Sequence, residues 1–240
     1  MVLLTSLCLA ALTALSGCVY IRLLQVKRQL AEAELHVRLA TQDGLTLTFS
    51  HPVLLPEDIL FLARRRPSRM QEIGSKTRWI YSFVKKERNG GQNANRFDVP
   101  VDLSFFKGKL CQARLPERFG RVLTSAYLLR SIKAVGHASV DVSPRRVRGH
   151  APSEDSNRAG TRLPSRRDIL ELFGPPYREH LSPGDRQIHY RYSLLPGEDD
   201  PEEKASRARL VFHFRRPDGR LLRVKARFAG ITLLLSYPEE

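Results

Sequence analysis

Charge is missing from the start of this 240-residue chain: no Asp, Glu, Lys or Arg precedes Arg22. Cysteine is scarce as well, with Cys8 and Cys18 in that uncharged segment and Cys111 alone in the rest. A disulfide framework is thereby excluded for the body, which must hold together by burying a core. None of the seven His residues has H-x₃-H or H-E-x-x-H spacing, and no second Cys stands ready to join one, so a metal site has no support. G-x-S-x-G, P-loop and dinucleotide-binding patterns are also absent. Cys111 falls in an alternating run, Leu110-Cys111-Gln112-Ala113, which predicts a buried strand residue rather than a nucleophile.

What the N-terminus does contain is apolar. Leu3, Leu4, Leu7, Leu9, Leu12 and Leu15, with Ala10, Ala11 and Ala14, give a segment of signal-peptide length. It closes on Leu15-Ser16-Gly17-Cys18. This resembles the lipobox of bacterial lipoprotein precursors. The resemblance implies a signal peptide over 1–17, cleavage before Cys18, and fatty acylation of the Cys18 thiol, with palmitate among the chains. In that family a residue other than Asp after the cysteine favours outer-membrane sorting, and here it is Val19. An alternative stays open. The uncharged run reaches Ile21, about the ~20 residues that span a bilayer, and Arg22, Lys27 and Arg28 follow it. An uncleaved single-pass anchor would then leave a basic binding module in the cytoplasm by the positive-inside tendency.

The chain carries 40 Lys and Arg against 25 Asp and Glu, a net charge of +15, and only nine of the cations are Lys. Such a balance suits anionic partners, either lipid headgroups or acidic glycans. Nucleic acid is not expected, because an exported chain has little access to it and no RNP, zinc-finger or helix-turn-helix pattern occurs. An equally simple reading is an arginine-rich, solvated surface.

The chain also resembles itself at an offset near 110 residues, the sign of an internal repeat. Leu55-Pro56-Glu57-Asp58-Ile59-Leu60-Phe61-Leu62 answers to the stretch from Leu163 to Pro176. Trp79-Ile80-Tyr81-Ser82-Phe83 answers to His189-Tyr190-Arg191-Tyr192-Ser193. Polar segments follow at 86–96 and 195–206, then strand pairs around Gly108 and Asp218-Gly219. Each copy reads as helix, strand, loop and hairpin. Pro56 suits a first helical turn, Ser165-x-x-Asp168 is a capping box with Asp in the usual Glu place, and Gly174-Pro175 stops the second helix. Residues 122–135 have helical spacing and are expected to close the first unit. Residues 143–162 have linker composition. A short helix is expected over 22–34, a hairpin over 36–49, and, by β-branching, a strand over 231–237, with a buried helix end as the alternative there.

Helix, Leu-x-Gly-x-Pro-like stop, aromatic strand and Asp-Gly hairpin together resemble the SmpA/OmlA type of outer-membrane lipoprotein, best in Asp168 to Pro176 and Tyr190 to Tyr192. That family includes the small accessory subunit of the β-barrel assembly machine and shares its fold with the β-lactamase inhibitor proteins. The resemblance implies a scaffold of helix on antiparallel sheet, and a role in outer-membrane assembly or maintenance. The family members are usually single-domain, and no functional residue carries over beyond the acylated cysteine.

The expectation is therefore an α+β protein of two tandem units, each a helix packed on an antiparallel sheet. Its parts are a signal peptide (1–17), a lipidated tether (18–35), a first unit (36–142), a linker (143–162) and a second unit (163–240). The expected function is non-catalytic: an envelope lipoprotein facing the periplasm, anchored through Cys18, with an envelope protein as partner and no cofactor. Trp79, Tyr81, Tyr190 and Tyr192 with Arg78 and Arg191 are candidates for an aromatic-plus-arginine interaction surface, the composition interfaces favour. His189 and His213 lie on neighbouring strands and can meet as a sheet-surface pair. Asn89 to Asn95 reads as a loop joining strands, and the acidic Glu198 to Glu203 run as a solvated loop.

Overall fold

The computed structural model describes residues 19–88, 96–141, 143, 145–152, 162–197, 207–216 and 218–238. The lipobox, the 89–95 loop and the acidic 198–203 loop lie outside the described residues. Residues 19–31 form α1, followed by α2 (Ala33–His36). The expected hairpin is β1 (Val37–Ala40) with β2 (Leu45–Phe49).

Next comes a run of α3 (Pro56–Ala63), β3 (Arg69–Ile73), β4 (Lys76–Lys85), β5 (Val99–Phe106) and β6 (Lys109–Leu115). After α4 (Glu117–Val122), α5 (Ser125–Gly136), β7 (Ser139–Asp141) and β8 (Arg146–His150), the same order returns. It is α6 (Arg166–Phe173), β9 (Arg178–Ser182), β10 (Asp185–Leu194), β11 (Arg207–Arg215) and β12 (Leu221–Phe228), closed by β13 (Ile231–Ser236).

The helix starts follow local chemistry. Asp58 accepts the Leu55 N–H at 2.9 Å beside Pro56 in the first turn. Ser165 and Asp168 exchange reciprocal bonds, Oδ2 accepting the Ser165 N–H at 2.7 Å and Oγ accepting the Asp168 N–H at 3.3 Å. At the end of α6, Gly174 sits at φ 69° against the Phe97 ring, where an added Cβ would come within 2.3 Å of ring carbon.

The thirteen strands among the described residues join one mostly antiparallel sheet, in the order β1-β2-β6-β5-β4-β10-β11-β12-β13-β8-β7, with β3 on β4 and β9 on β10. The α+β class is as expected. The two runs meet edge to edge where Tyr192, Ser193 and Leu194 pair with Lys85, Val84 and Phe83. At this seam the Lys85 side chain is buried, its ammonium 4.8 Å from the Phe97 ring centroid, and burial lowers its pKa.

Two expectations are corrected. Residues 146–150, read as linker, form β8, which pairs parallel with β13. Strand pairing there satisfies the backbone of a segment that alternates Arg146 and Arg148 with Val147 and Gly149. The helix expected over 122–135 begins later, as α5 at Ser125 after α4 has ended at Val122, and it packs against β8 and β13 as well as α2 rather than only closing the first run. Its approach is close: a Cβ on Gly149 would lie 2.3 Å from the Ala134 carbonyl oxygen. Tyr127 of α5 stacks by Tyr237, with the hydroxyls 3.0 Å apart.

One core cluster therefore takes Leu45 from β2, Phe119 from α4, Tyr127 from α5, Ile169 and Phe173 from α6, and Leu235 from β13. Strands near both ends of the sheet, β2 and β13, thus contribute to one cluster with α4, α5 and α6. A second cluster lies under α3, around Trp79, Tyr81, Leu103 and Phe105.

Candidate anion-binding face

Alternation along β10 sends Ile188, Tyr190, Tyr192 and Leu194 into the core and Gln187, His189 and Arg191 to the opposite face. On β11 the outward set is Arg207, Arg209, Val211 and His213; on β12 it is Arg223, Lys225 and Arg227. Register then decides what meets. Arg191 stands opposite Arg209, and Arg209 opposite Arg227, three arginines in one row across three strands. His189, Val211 and Lys225 form the next row, and Gln187, His213 and Arg223 the one after. From β9, Arg178 stands opposite His189 and His180 opposite Gln187.

Like charges directly opposite are destabilising in a sheet, and carboxylates offset few of these. Asp185 lies 3.6 Å from His213 Nδ1. Among the described residues no ion pair forms to Arg178, Arg191, Arg209, Arg223, Lys225 or Arg227. The first run's outer face differs: Arg78 is paired with Asp102, its Nε at 2.7 Å, among Thr46, Thr48, Ser104 and Gln112.

Within the basic face lies an open cleft of about 380 Å³ lined by Tyr177, Arg178, His180, His189, Arg191 and Arg209. The Arg191 guanidinium stacks 4.0 Å from the Tyr177 ring centroid, which holds its fork in place without using its N–H donors. Partial burial lowers the His189 pKa, and repulsion from the neighbouring His213, Arg178, His180 and Arg191 side chains lowers it further. Burial likewise lowers that of His213, against the pull of Asp185. The cleft is thus a site of positive potential, with guanidinium forks suited to phosphate, sulfate or carboxylate oxygens.

The expected aromatic surface is corrected. Trp79, Tyr81, Tyr190 and Tyr192 are all buried, because their shared parity points them at the helices. Tyr190 donates to the Gly174 carbonyl at 3.0 Å and Tyr81 to that of Arg65 at 3.1 Å, so their hydroxyls serve the fold. Burial raises the pKa of both Tyr190 and Tyr192. Of the six candidates Arg191 alone is on the basic face and exposed, whereas Arg78 is held by Asp102.

His189 and His213 are diagonal neighbours on the outer face, as adjacent strands allowed. Cys111 is half-buried on β6, its thiol donating to the Ser104 carbonyl at 3.2 Å. Among the described residues no three His, Cys, Asp or Glu side chains stand close enough to share a metal ion. No helix among them is long and apolar enough to cross a membrane.

Sequence reasoning missed Arg209, Arg227, Arg178 and His180. The signal was present as alternating cations, Arg207-x-Arg209 and Arg223-x-Lys225-x-Arg227, but their convergence depends on strand register. No protein-family model matches the chain, and no curated protein or solved structure is similar to it.

Proposed function

We propose that this chain is a non-catalytic, membrane-anchored binding protein of the bacterial envelope, acylated on Cys18 after removal of residues 1–17, and facing the periplasm from the outer membrane. The observation that carries the binding role is the row Arg191, Arg209 and Arg227, which forms no ion pair with a carboxylate among the described residues. A fold tolerates such a row at a cost in stability, and an anionic partner removes that cost. The partner presents clustered phosphate, sulfate or carboxylate groups, as acidic glycans, lipid headgroups and acidic faces of envelope proteins do.

The matching order of helix and four strands in the two runs supports reading them as tandem copies of one unit, a duplicated SmpA/OmlA-like scaffold. The duplicated form serves assembly or maintenance of the envelope by holding a partner rather than by chemistry.

Two measurements test this. Fatty-acid labelling of the chain in bacterial cells should disappear in Cys18→Ala. The purified chain should bind dextran sulfate in a salt-dependent manner, and Arg191→Gln/Arg209→Gln/Arg227→Gln should not. Retained labelling would remove the acylation; equal binding by the triple variant would remove the basic face as the site. The position of Arg22, Lys27 and Arg28 after the apolar segment favours a second reading, an uncleaved anchor with the body in the cytoplasm. Proteolysis of intact spheroplasts separates the two: a periplasmic body is digested and a cytoplasmic one is protected.

A further inference from the structure

The apolar N-terminus ends in sequence at Arg22, but not in space. The Arg22 guanidinium turns inward and makes a bidentate pair with Asp58 of α3, Nε and the second nitrogen at 2.6 and 2.7 Å. Asp58 is fully buried. The first charge after the N-terminal segment is thus drawn against the body, its side chain 19% exposed, and the outward stripe of α1 stays apolar through Leu24. Tyr20, Ile21 and Leu24 are 51%, 58% and 58% exposed, and Phe61 of α3, 43% exposed, meets Tyr20 edge to face at 6.0 Å. Farther along the same stripe the exposed residues become polar, Gln25, Arg28 and Glu32.

The dimensions agree with a bilayer interface. From residue 19 to 24 the helix rises ~8 Å at ~1.5 Å per residue, and interfacial helices bury their apolar faces ~5–10 Å deep. Two cations stand at the Phe61 side of the patch. Arg145 lies over the Phe61 ring at 5.7 Å and donates to the Phe61 and Ala229 carbonyls, with Arg64 beside it. The helix is not a loose leash. Beyond the Arg22–Asp58 pair, Gln29 donates to the His51 carbonyl at 2.8 Å, and Gly136 of α5 is so close to Ala31 that a Cβ would meet its nitrogen at 2.0 Å.

We infer that Tyr20, Ile21, Leu24 and Phe61 form a membrane-seated collar that docks the body rigidly on the bilayer holding the chain's own N-terminus. The occupant is lipid, because the patch continues the uncharged apolar segment of residues 1–18 and has two cations at its Phe61 side, matching anionic headgroups. The inference rests on the membrane anchoring proposed above and holds for either form of anchor. It also sets an orientation. Arg145 ties the collar to the β12–β13 turn at Ala229, and β12 then runs back ~24 Å at ~3.4 Å per residue to Leu221. The β9–β10 turn, next to the β11–β12 turn through the Arg216 N–H to Gly184 carbonyl bond, is at the end far from the bilayer.

Full-length protein from bacterial membranes, reconstituted in phosphatidylcholine–phosphatidylglycerol vesicles, tests this by tryptophan fluorescence. Trp79 is buried and provides a constant background. Ile21→Trp and Phe61→Trp should each add emission that shifts to shorter wavelength on reconstitution and loses intensity when the lipids carry brominated chains. Leu181→Trp, at the far end of the sheet, should add emission with neither response. Vesicle flotation with no quenching at 21 and 61 would overturn the collar and leave the anchor standing. Failure to float with the vesicles would overturn the anchor and the collar together. Quenching at 21 without quenching at 61 would show an inserted helix with the body standing off, which also overturns rigid docking.

Discussion

Neutralising the central arginine of the basic row should make the protein more stable and a poorer binder. In Arg209→Gln the residue opposed on both sides by Arg191 and Arg227 loses its charge. Neighbouring strands are ~4.8 Å apart, so two guanidinium groups held about 5 Å apart in water repel by roughly 0.8 kcal/mol. Physiological salt, with a Debye length of ~8 Å, cuts this to about 0.4 kcal/mol. Two neighbours double it, giving ~0.8 kcal/mol, inside the range known for cross-strand pairs. For a chain of this size that raises Tm by about 2–3 °C. The same substitution removes a charge-assisted hydrogen bond worth ~1.5–3 kcal/mol to an anionic partner, or tenfold or more in Kd. Differential scanning fluorimetry and dextran sulfate titration at two salt concentrations read the two effects. Arg227→Gln, with one opposing arginine in the row, should give about half the stabilisation. A Tm that falls or stays fixed, with unchanged affinity, would refute the argument: the row would be neither strained nor used.

Other consequences are equally accessible. Arg22→Ala leaves the fully buried Asp58 carboxylate without its cation and should cost about 3 kcal/mol in urea unfolding. Asp58→Ala should cost less, because Arg22 can turn to Glu57 at 3.8 Å, and the double variant should be no worse than Arg22→Ala. Gly149→Ala drives a methyl into the Ala134 carbonyl and should destabilise by roughly 1–3 kcal/mol, with a lower urea midpoint as the readout. The depressed pKa values of His189 and His213 give a pH dependence. Below the unfolded value of ~6.5 the unfolded chain takes up protons that the native one refuses, so stability is full above pH ~6.5 and falls as pH drops. Anion binding reverses the local potential at His189, so affinity for dextran sulfate should rise over the same pH fall, and His189→Gln should flatten that dependence.

Local elements were largely legible in the residues. Pro56, the Ser165–Asp168 box and Gly174 mark helix ends through contacts a few positions apart, alternation marks β4 and β10, and β-branching marks β13. The hairpin over 36–49 was legible for the same reason. What lay beyond reach depended on distant partners. Nothing near Arg146 to His150 tells that β13 will pair with it, since the strand's own side chains read as a solvated loop. Nothing in 122–135 tells that the Ala134 carbonyl will rest on Gly149. The alternation of Trp79 with Tyr81 and of Tyr190 with Tyr192 showed that each pair shares a face; only the helices packed over that face made it the inside.

By itself, then, the sequence determined an apolar, uncharged start, a surplus of arginine, and two similar runs of helix and strands, because each depends on composition or short spacing. The tertiary structure decided where these properties act. Register across β10, β11 and β12 converted scattered arginines into a row, since side chains separated by many residues become neighbours only when strands pair. The Arg22–Asp58 pair, between residues 36 positions apart, drew the first charge of the chain against α3 and left Tyr20, Ile21 and Leu24 as an exposed apolar stripe on α1.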